Sequence, residues 1–276
     1  MADMERSRAA RAAAEAALVG VIHHYGQRPE FVVLGGLVPE LLCSNSEWLH
    51  AGTTDIDVHV DLEVAAGSIK AQRLETALMS AGFRADNERV WRWVSTVKGT
   101  PAVVKFELLT DQPDIPNNAT VHFAGCDNLG AANLRGTGFA SRDVEVRRIT
   151  GVVDGVEHTV EVNVTGTAGF LLAKVAAART RRAPKDWYDI AFVLLHNDLG
   201  GPIGAGQAIV ERFGGDLIGE TRSALTDLQG NFATPFDQGP SAYAEQMSLD
   251  NPTTSAETSA ADAVTALEMF LKELQL

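Results

Sequence analysis

The sequence predicts an α/β (α+β) protein, with a mixed β-sheet in an N-terminal lobe, residues 1–165, and a mostly helical lobe over residues 166–276. Three observations lead there. The 276 residues are 45% hydrophobic and 21% charged, a soluble globular balance with apolar mass enough for two modest cores. Between about residues 30 and 165, short runs rich in Val, Ile and Phe alternate with Gly, Asn and Pro turns. From about residue 166 the apolar period lengthens to that of a helix.

The elements follow in order. MADMERSRAARAAAEAALVGVIHHYG has arginines ahead of an alanine-rich stretch, but Asp3, Glu5 and Glu15 interrupt it and no long apolar core follows. It reads as an amphipathic helix and not as a targeting segment. FVVLGG, DIDVHVDL, AVVKFELLT, VEVRRI and EHTVEVNV read as strands, with a helix at about residues 68–81. AGFLLAKVAAARTRR, KDWYDIAFVLLHN and GAGQAIVERFGG read as helices. Residues 229–260, crowded with Gly, Pro, Ser, Thr and Asn, read as a long flexible loop before a last amphipathic helix, AADAVTALEMFLKELQL. No run of roughly 18 to 20 apolar residues is present, so no membrane span is expected.

Charge narrows the function classes. A net charge of −13 and a pI near 4.9 disfavour broad, nonspecific binding to nucleic acid or anionic membranes. The acidity is uneven. Residues 201–276 hold eleven acids against three bases, net −8, whereas residues 170–190 hold five bases against two acids, net +3. The two cysteines, Cys43 and Cys126, form no metal-ligand spacing and no disulfide framework, as in a reduced, cytoplasmic chain.

The stretch AGTTDIDVHV raises the chemical question. In a strand, Asp55 and Asp57 project to one face while Ile56 and Val58 face the core. Carboxylates held that close repel one another unless a cation lies between them, and paired hard oxygens suit Mg²⁺. The alternative is a solvent-facing edge strand whose charges discourage aggregation. A calcium loop built on Asp55, Asp57, His59 and Asp61 fails, because Val60 and Ala66 stand where the turn glycine and the terminal glutamate belong.

Upstream, FVVLGGLVPELL is a strand entering Gly35-Gly36 and then a helix, an arrangement that turns backbone N–H groups and a positive helix end toward one point. Strand, Gly-Gly, helix, loop and then Gly-Thr-Thr-Asp-Ile-Asp together resemble the nucleotidyltransferase fold of the DNA polymerase β type. The resemblance implies a metal triad of Asp55, Asp57 and a third carboxylate from a later strand, which VVKFELLT supplies at Glu107. It also implies two Mg²⁺ ions, an NTP substrate held by Gly35 and Gly36, and Thr53 and Thr54 beside the γ-phosphate.

FLLAKVAAARTRRAPKDWYDIAFVLL narrows the likeness, since Lys174, Arg179, Lys185-Asp186 and Asp189 resemble the helical motif of AbiEii-type nucleotidyltransferases. Those are the toxins of bacterial toxin–antitoxin pairs, the mycobacterial MenT toxins among them. The likeness implies that Lys174 and Arg179 bind the triphosphate, that Lys174 and Asp186 join Asp55 and Asp57 as catalytic groups, and that Asp189 is structural. It further implies transfer of an NMP to the 3′ end of tRNA and pairing with a cognate antitoxin protein. Arg142, Arg147, Arg148 and the run Arg179, Arg181, Arg182 and Lys185 could follow an RNA backbone, while Trp91 and Trp93 belong to base stacking or to the core. A small antibiotic-type acceptor, a protein hydroxyl, and a catalytically dead binding module remain alternatives.

Overall fold

The computed structural model describes residues 7–61, 69–96 and 103–276. The chain is mixed α/β and about half helical. It divides into two compact units, Met1–Val38 with Gly52–Thr165, and Pro39–Ala51 with Gly166–Leu276. The boundary near residue 165 matches the change in period. Residues 39–51 belong with the helices instead, because Asp198 accepts hydrogen bonds from the Ser44 and Asn45 backbone and the Tyr188 hydroxyl accepts one from Ala51 N.

In the first unit, α1 (Arg8–Tyr25) starts where Ser7 Oγ accepts from Ala10 N and stops at Gly26, whose φ of 78° breaks the helix. Among the described residues the sheet has nine strands: β1 (Val32–Leu34), β2 (Asp55–His59), β3 (Arg84–Ala85), β4 (Arg92–Thr96), β5 (Val103–Thr110), β6 (Thr120–His122), β7 (Gly130–Asn133), β8 (Val144–Val153) and β9 (Val156–Thr165). Their order is β3-β4-β5-β2-β1-β9-β8, with β7 and then β6 continuing beside the far end of β5. The sheet is mixed, since β2–β5, β1–β9 and β5–β7 are parallel and the other pairs antiparallel.

Each central strand has one apolar face. Ile56, Val58, Val104, Phe106 and Leu108 are fully buried and alternate with Asp55, Asp57, Lys105 and Glu107, which are half-buried. α1 packs on β8 and β9 and on α3 (Ile69–Ser80), the helix expected near residues 68–81. Trp93 is enclosed in this core. Over the charged face, the single turn α4 (Gly138–Ser141) covers one end, where Leu34, Leu109, Ala132 and Ala140 cluster with Trp91 packed against them.

The second unit is built on α5 (Thr167–Arg181), α6 (Pro184–His196), α7 (Gly201–Phe213), α8 (Gly219–Gly230), α9 (Gln238–Asp250) and α10 (Ala256–Glu273). α6 is its centre. Every residue from Asp186 to Leu194 is buried, and α5, α7, α9 and α10 surround it. The long loop expected over residues 229–260 is corrected: most of it is helical, in the end of α8, all of α9 and the start of α10, and the buried Pro240, Tyr243, Ala244 and Met247 of α9 have helical spacing. Composition misleads because the helix-breaking residues sit at the start, where they are tolerated. Gly239 also makes room for Phe232, whose ring carbon would lie 2.0 Å from a β-carbon there. No helix among the described residues is long and apolar enough to cross a membrane.

Candidate active site

The charged face of the first unit is assembled by register. Parallel pairing of β2 and β5 sets Asp57 beside Glu107 and Asp55 beside Lys105. Antiparallel pairing of β4 and β5 sets Arg92 beside Glu107, and β1 brings Leu34 beside Asp57. One row therefore reads Arg92, Glu107, Asp57, Leu34 across four strands. Asp55 and Asp57 thus share one face of one sheet with Glu107, which comes from a strand much later in the sequence, and all three are half-buried.

The Gly-Gly turn closes on this row. Gly35 has φ of 77°, and a β-carbon on it would lie 2.0 Å from Asp57 Oδ2. At Gly36 a β-carbon would lie 3.0 Å from both Cβ and Cγ2 of Thr53. Thr53 Oγ1 in turn accepts from Asp55 N at 3.0 Å, which fixes the start of β2. Thr54, expected beside a phosphate, is buried, and its carbonyl accepts from Lys105 N. The expected helix after Gly-Gly is present but short: a 3₁₀ turn, Gly35–Leu37, leads into α2 (Val38–Leu42), which is only five residues long. So short a helix has little macrodipole to offer a phosphate, and the close approach of Gly35 is what the turn contributes.

The electrostatics hold a second departure. Glu107 accepts from Arg92 Nε and pairs with its Nη2, both at 2.6 Å, and Asp55 Oδ1 lies 3.2 Å from Lys105 Nζ. Among the described residues, no three His, Cys, Asp or Glu side chains are gathered closely enough to hold a metal ion. The donor chemistry suits a hard divalent cation, because three carboxylates share the face and Gly35 leaves Asp57 its place. Arg92 and Lys105 already pair with two of the three, through Glu107 Oε1 and Asp55 Oδ1, so a divalent cation at this face competes with both.

His59 ends β2 as a core residue. Burial holds its imidazole below the ordinary histidine value against the opposing pull of Asp111 and Asp61, and its Nδ1 lies 3.3 Å from Thr137 Oγ1. Asp61 lies beyond the strand and is exposed.

In the second unit Lys174 is enclosed. Its Nζ lies 2.6 Å from Asp189 Oδ2 and 3.2 Å from Asp186 Oδ1, with both carboxylates buried. Asp186 also pairs with Arg181 at 2.9 Å, and His50 Nε2 lies 3.0 Å from Asp189 Oδ1. Burial pulls the ammonium toward its neutral form, but Asp189 and Asp186 outweigh it and hold Lys174 above the ordinary lysine value. The expected split of Asp186 as a reactive group and Asp189 as a structural one is not seen. Both are buried members of one charged array.

Arg179 is set apart from Lys174. Five residues along a helix is a rotation of about 140° between side chains, and Arg179 Nη1 instead donates to the Glu220 carbonyl at 3.2 Å. Arg182 pairs with Asp227 at 3.0 Å, so the basic run is dispersed among partners. Arg147 and Arg148 point to opposite faces of β8, and Arg147 pairs with Glu145. Trp91 precedes β4, half-buried, with the Arg92 guanidinium 4.8 Å from its ring centre.

Arg92 and His50 are the residues sequence reading misses. Strand period places Lys105 on the charged face, but the partner of Glu107 depends on the register of β4, and the partner of Asp189 on where residues 39–51 fold. No family model matches the chain, and no curated protein matches it.

Proposed function

We propose that the chain is a nucleotidyltransferase of the DNA polymerase β type that moves an NMP from an NTP to an acceptor hydroxyl, as in the AbiEii-type toxins. The observation that carries this reading is the row Glu107–Asp57 beside Asp55, closed by a Gly35 that admits no side chain. A short apolar or polar edge strand has no need of that approach. Asp55 and Asp57, joined by Glu107, would hold a divalent cation, which supplies charge neutralisation at the α-phosphate and the departing pyrophosphate. The chain's own part is to bind, orient and accept a proton. Gly35 and Gly36 bring backbone close to the phosphates, Thr53 sets the start of β2, and the carboxylate nearest the acceptor takes its hydroxyl proton. Lys174 is kept charged by its two carboxylates and so is not available as a base.

The acceptor we favour is the 3′ end of tRNA, with a cognate antitoxin protein as partner. A small-molecule or protein hydroxyl is favoured by one observation, the dispersal of Arg147, Arg148, Arg179 and Arg182 among separate faces and partners. Incubation with total RNA and each α-labelled NTP in Mg²⁺, wild type beside Asp57→Asn, tests the reading. Label on a tRNA band that Asp57→Asn loses supports it. Label on an added aminoglycoside moves the acceptor to the second reading, and equal labelling by both proteins ends the site assignment.

A further inference from the structure

The charged face of the first unit holds two cations that neither the metal triad nor the Gly-Gly turn requires. Lys105 pairs with Asp55 and Arg92 with Glu107, each from a position directly beside its partner in the sheet. Both cations are half-buried and lie at the same face as the three carboxylates. Arg92 is further steadied by the Trp91 ring. A divalent cation and these two side chains compete for the same two carboxylates.

We propose that Lys105 and Arg92 are the triphosphate ligands of this site, held by Asp55 and Glu107 until a divalent cation takes the carboxylates and frees both for the phosphates. The inference rests on the metal-dependent reading above. The chemistry is an exchange of partners, with no bond made or broken: a divalent cation replaces an ammonium and a guanidinium at the carboxylates, and the released groups meet phosphate oxygens. A guanidinium forks onto two such oxygens and an ammonium acts as a point charge, so the pair suits a polyphosphate better than a single carboxylate ligand. Because coupling between sites is reciprocal, the cations weaken divalent binding as much as the divalent weakens their pairing. Removing them should therefore tighten one ligand and loosen the other.

The experiment measures Mn²⁺ alone, by its paramagnetic resonance signal, and then a non-hydrolysable NTP analogue in the presence of Ca²⁺, on the full chain. Lys105→Met and Arg92→Met are compared with Lys70→Met, which removes a surface cation paired with Glu30. Each of the first two is expected to bind Mn²⁺ about fivefold more tightly and the analogue at least about tenfold more weakly, with Lys70→Met unchanged in both. Where one variant folds poorly, the other carries the test. Mn²⁺ bound by the variants alone supports the exchange in its extreme form. Wild type binding Mn²⁺ with affinity unchanged or weakened in both variants overturns the inference and leaves the metal reading standing. Absence of Mn²⁺ binding in all of them overturns both.

Discussion

Gly35 lies so close to Asp57 that a β-carbon on it would sit 2.0 Å from the carboxylate oxygen, on a backbone whose φ is 77°. Two costs attach to Gly35→Ala, the left-handed backbone and the collision. Gly155 separates them, because its φ is 81° and nothing lies within 4 Å of the position its β-carbon would take. Gly155→Ala is expected to lose about 1–2 kcal/mol, the cost of the backbone alone. Gly35→Ala is expected to lose at least about 1 kcal/mol more, because the collision forces the Asp57 side chain from its place. Urea denaturation of the two variants gives the difference, and equal losses would mean that Asp57 yields without effort.

The array around Lys174 makes a sharper demand, since its side chain is 9% exposed and those of Asp186 and Asp189 are 0% and 2% exposed. Lys174→Met leaves two buried carboxylates without their shared ammonium, and a loss of about 3–5 kcal/mol is expected. Arg181, a permanent cation, still pairs with Asp186, whereas the neighbour that Asp189 keeps in His50 is an imidazole, so Asp189 bears more of the damage. Adding Asp189→Asn to Lys174→Met should therefore restore part of the loss, and a double-mutant cycle by chemical denaturation reads it. Additive losses in the cycle would show the two groups to be independent. Any fall in activity on changing Lys174 has to be weighed against this folding cost.

Asn133 organises the loop that follows β5. Its side-chain oxygen accepts from Gln112 N at 2.7 Å, while its amide nitrogen faces the carbonyls of Gln112, Ile115 and Pro116 at 3.2, 2.7 and 3.1 Å. The residue is fully buried. Asn133→Asp replaces the donor with a charged acceptor against three carbonyls, and about 3 kcal/mol of stability should go with it. Proteolysis within residues 111–118 should quicken in the variant, and an unchanged cleavage rate would show the loop to be held by Arg135 and Asp111 alone.

What the sequence made legible was whatever depends on local period. Alternation alone puts Asp55 and Asp57 on one face and Ile56 and Val58 on the other, and it separates Phe106 from Glu107. The change to helical spacing near residue 166 likewise marks a boundary between the units. Register and long-range return were not legible. Glu107 meets Arg92 because β4 pairs with β5 at one offset out of several that its apolar pattern allows. Residues 39–51 join the helical unit through Asp198, more than a hundred and fifty positions away in the sequence. α9 is hidden in composition by its glycine and proline, while the helical spacing of Tyr243, Ala244 and Met247 carries the signal. Lys174 showed its charge in the sequence but not its burial, which follows from two carboxylates on the next helix.

Acid should weaken the helical unit through His196. Burial pushes its imidazole down to about 4 from an ordinary 6.5, and its Nε2 lies 2.9 Å from the Tyr243 hydroxyl. The unfolded chain takes up this proton near pH 6.5, whereas the folded chain resists it until about pH 4. Between those values the unfolded state binds more protons, so stability is whole above about pH 6.5 and declines as pH falls toward 4. The full shift corresponds to at most about 3 kcal/mol. His59, also held low by burial, acts in the same direction in the other unit. Urea midpoints at pH 7, 5.5 and 4.5 should fall in order for the wild type, and His196→Gln should flatten the decline while keeping a group able to reach Tyr243. A wild-type midpoint that holds steady to pH 4.5, or a slope that His196→Gln leaves intact, would place the acid-sensitive group elsewhere.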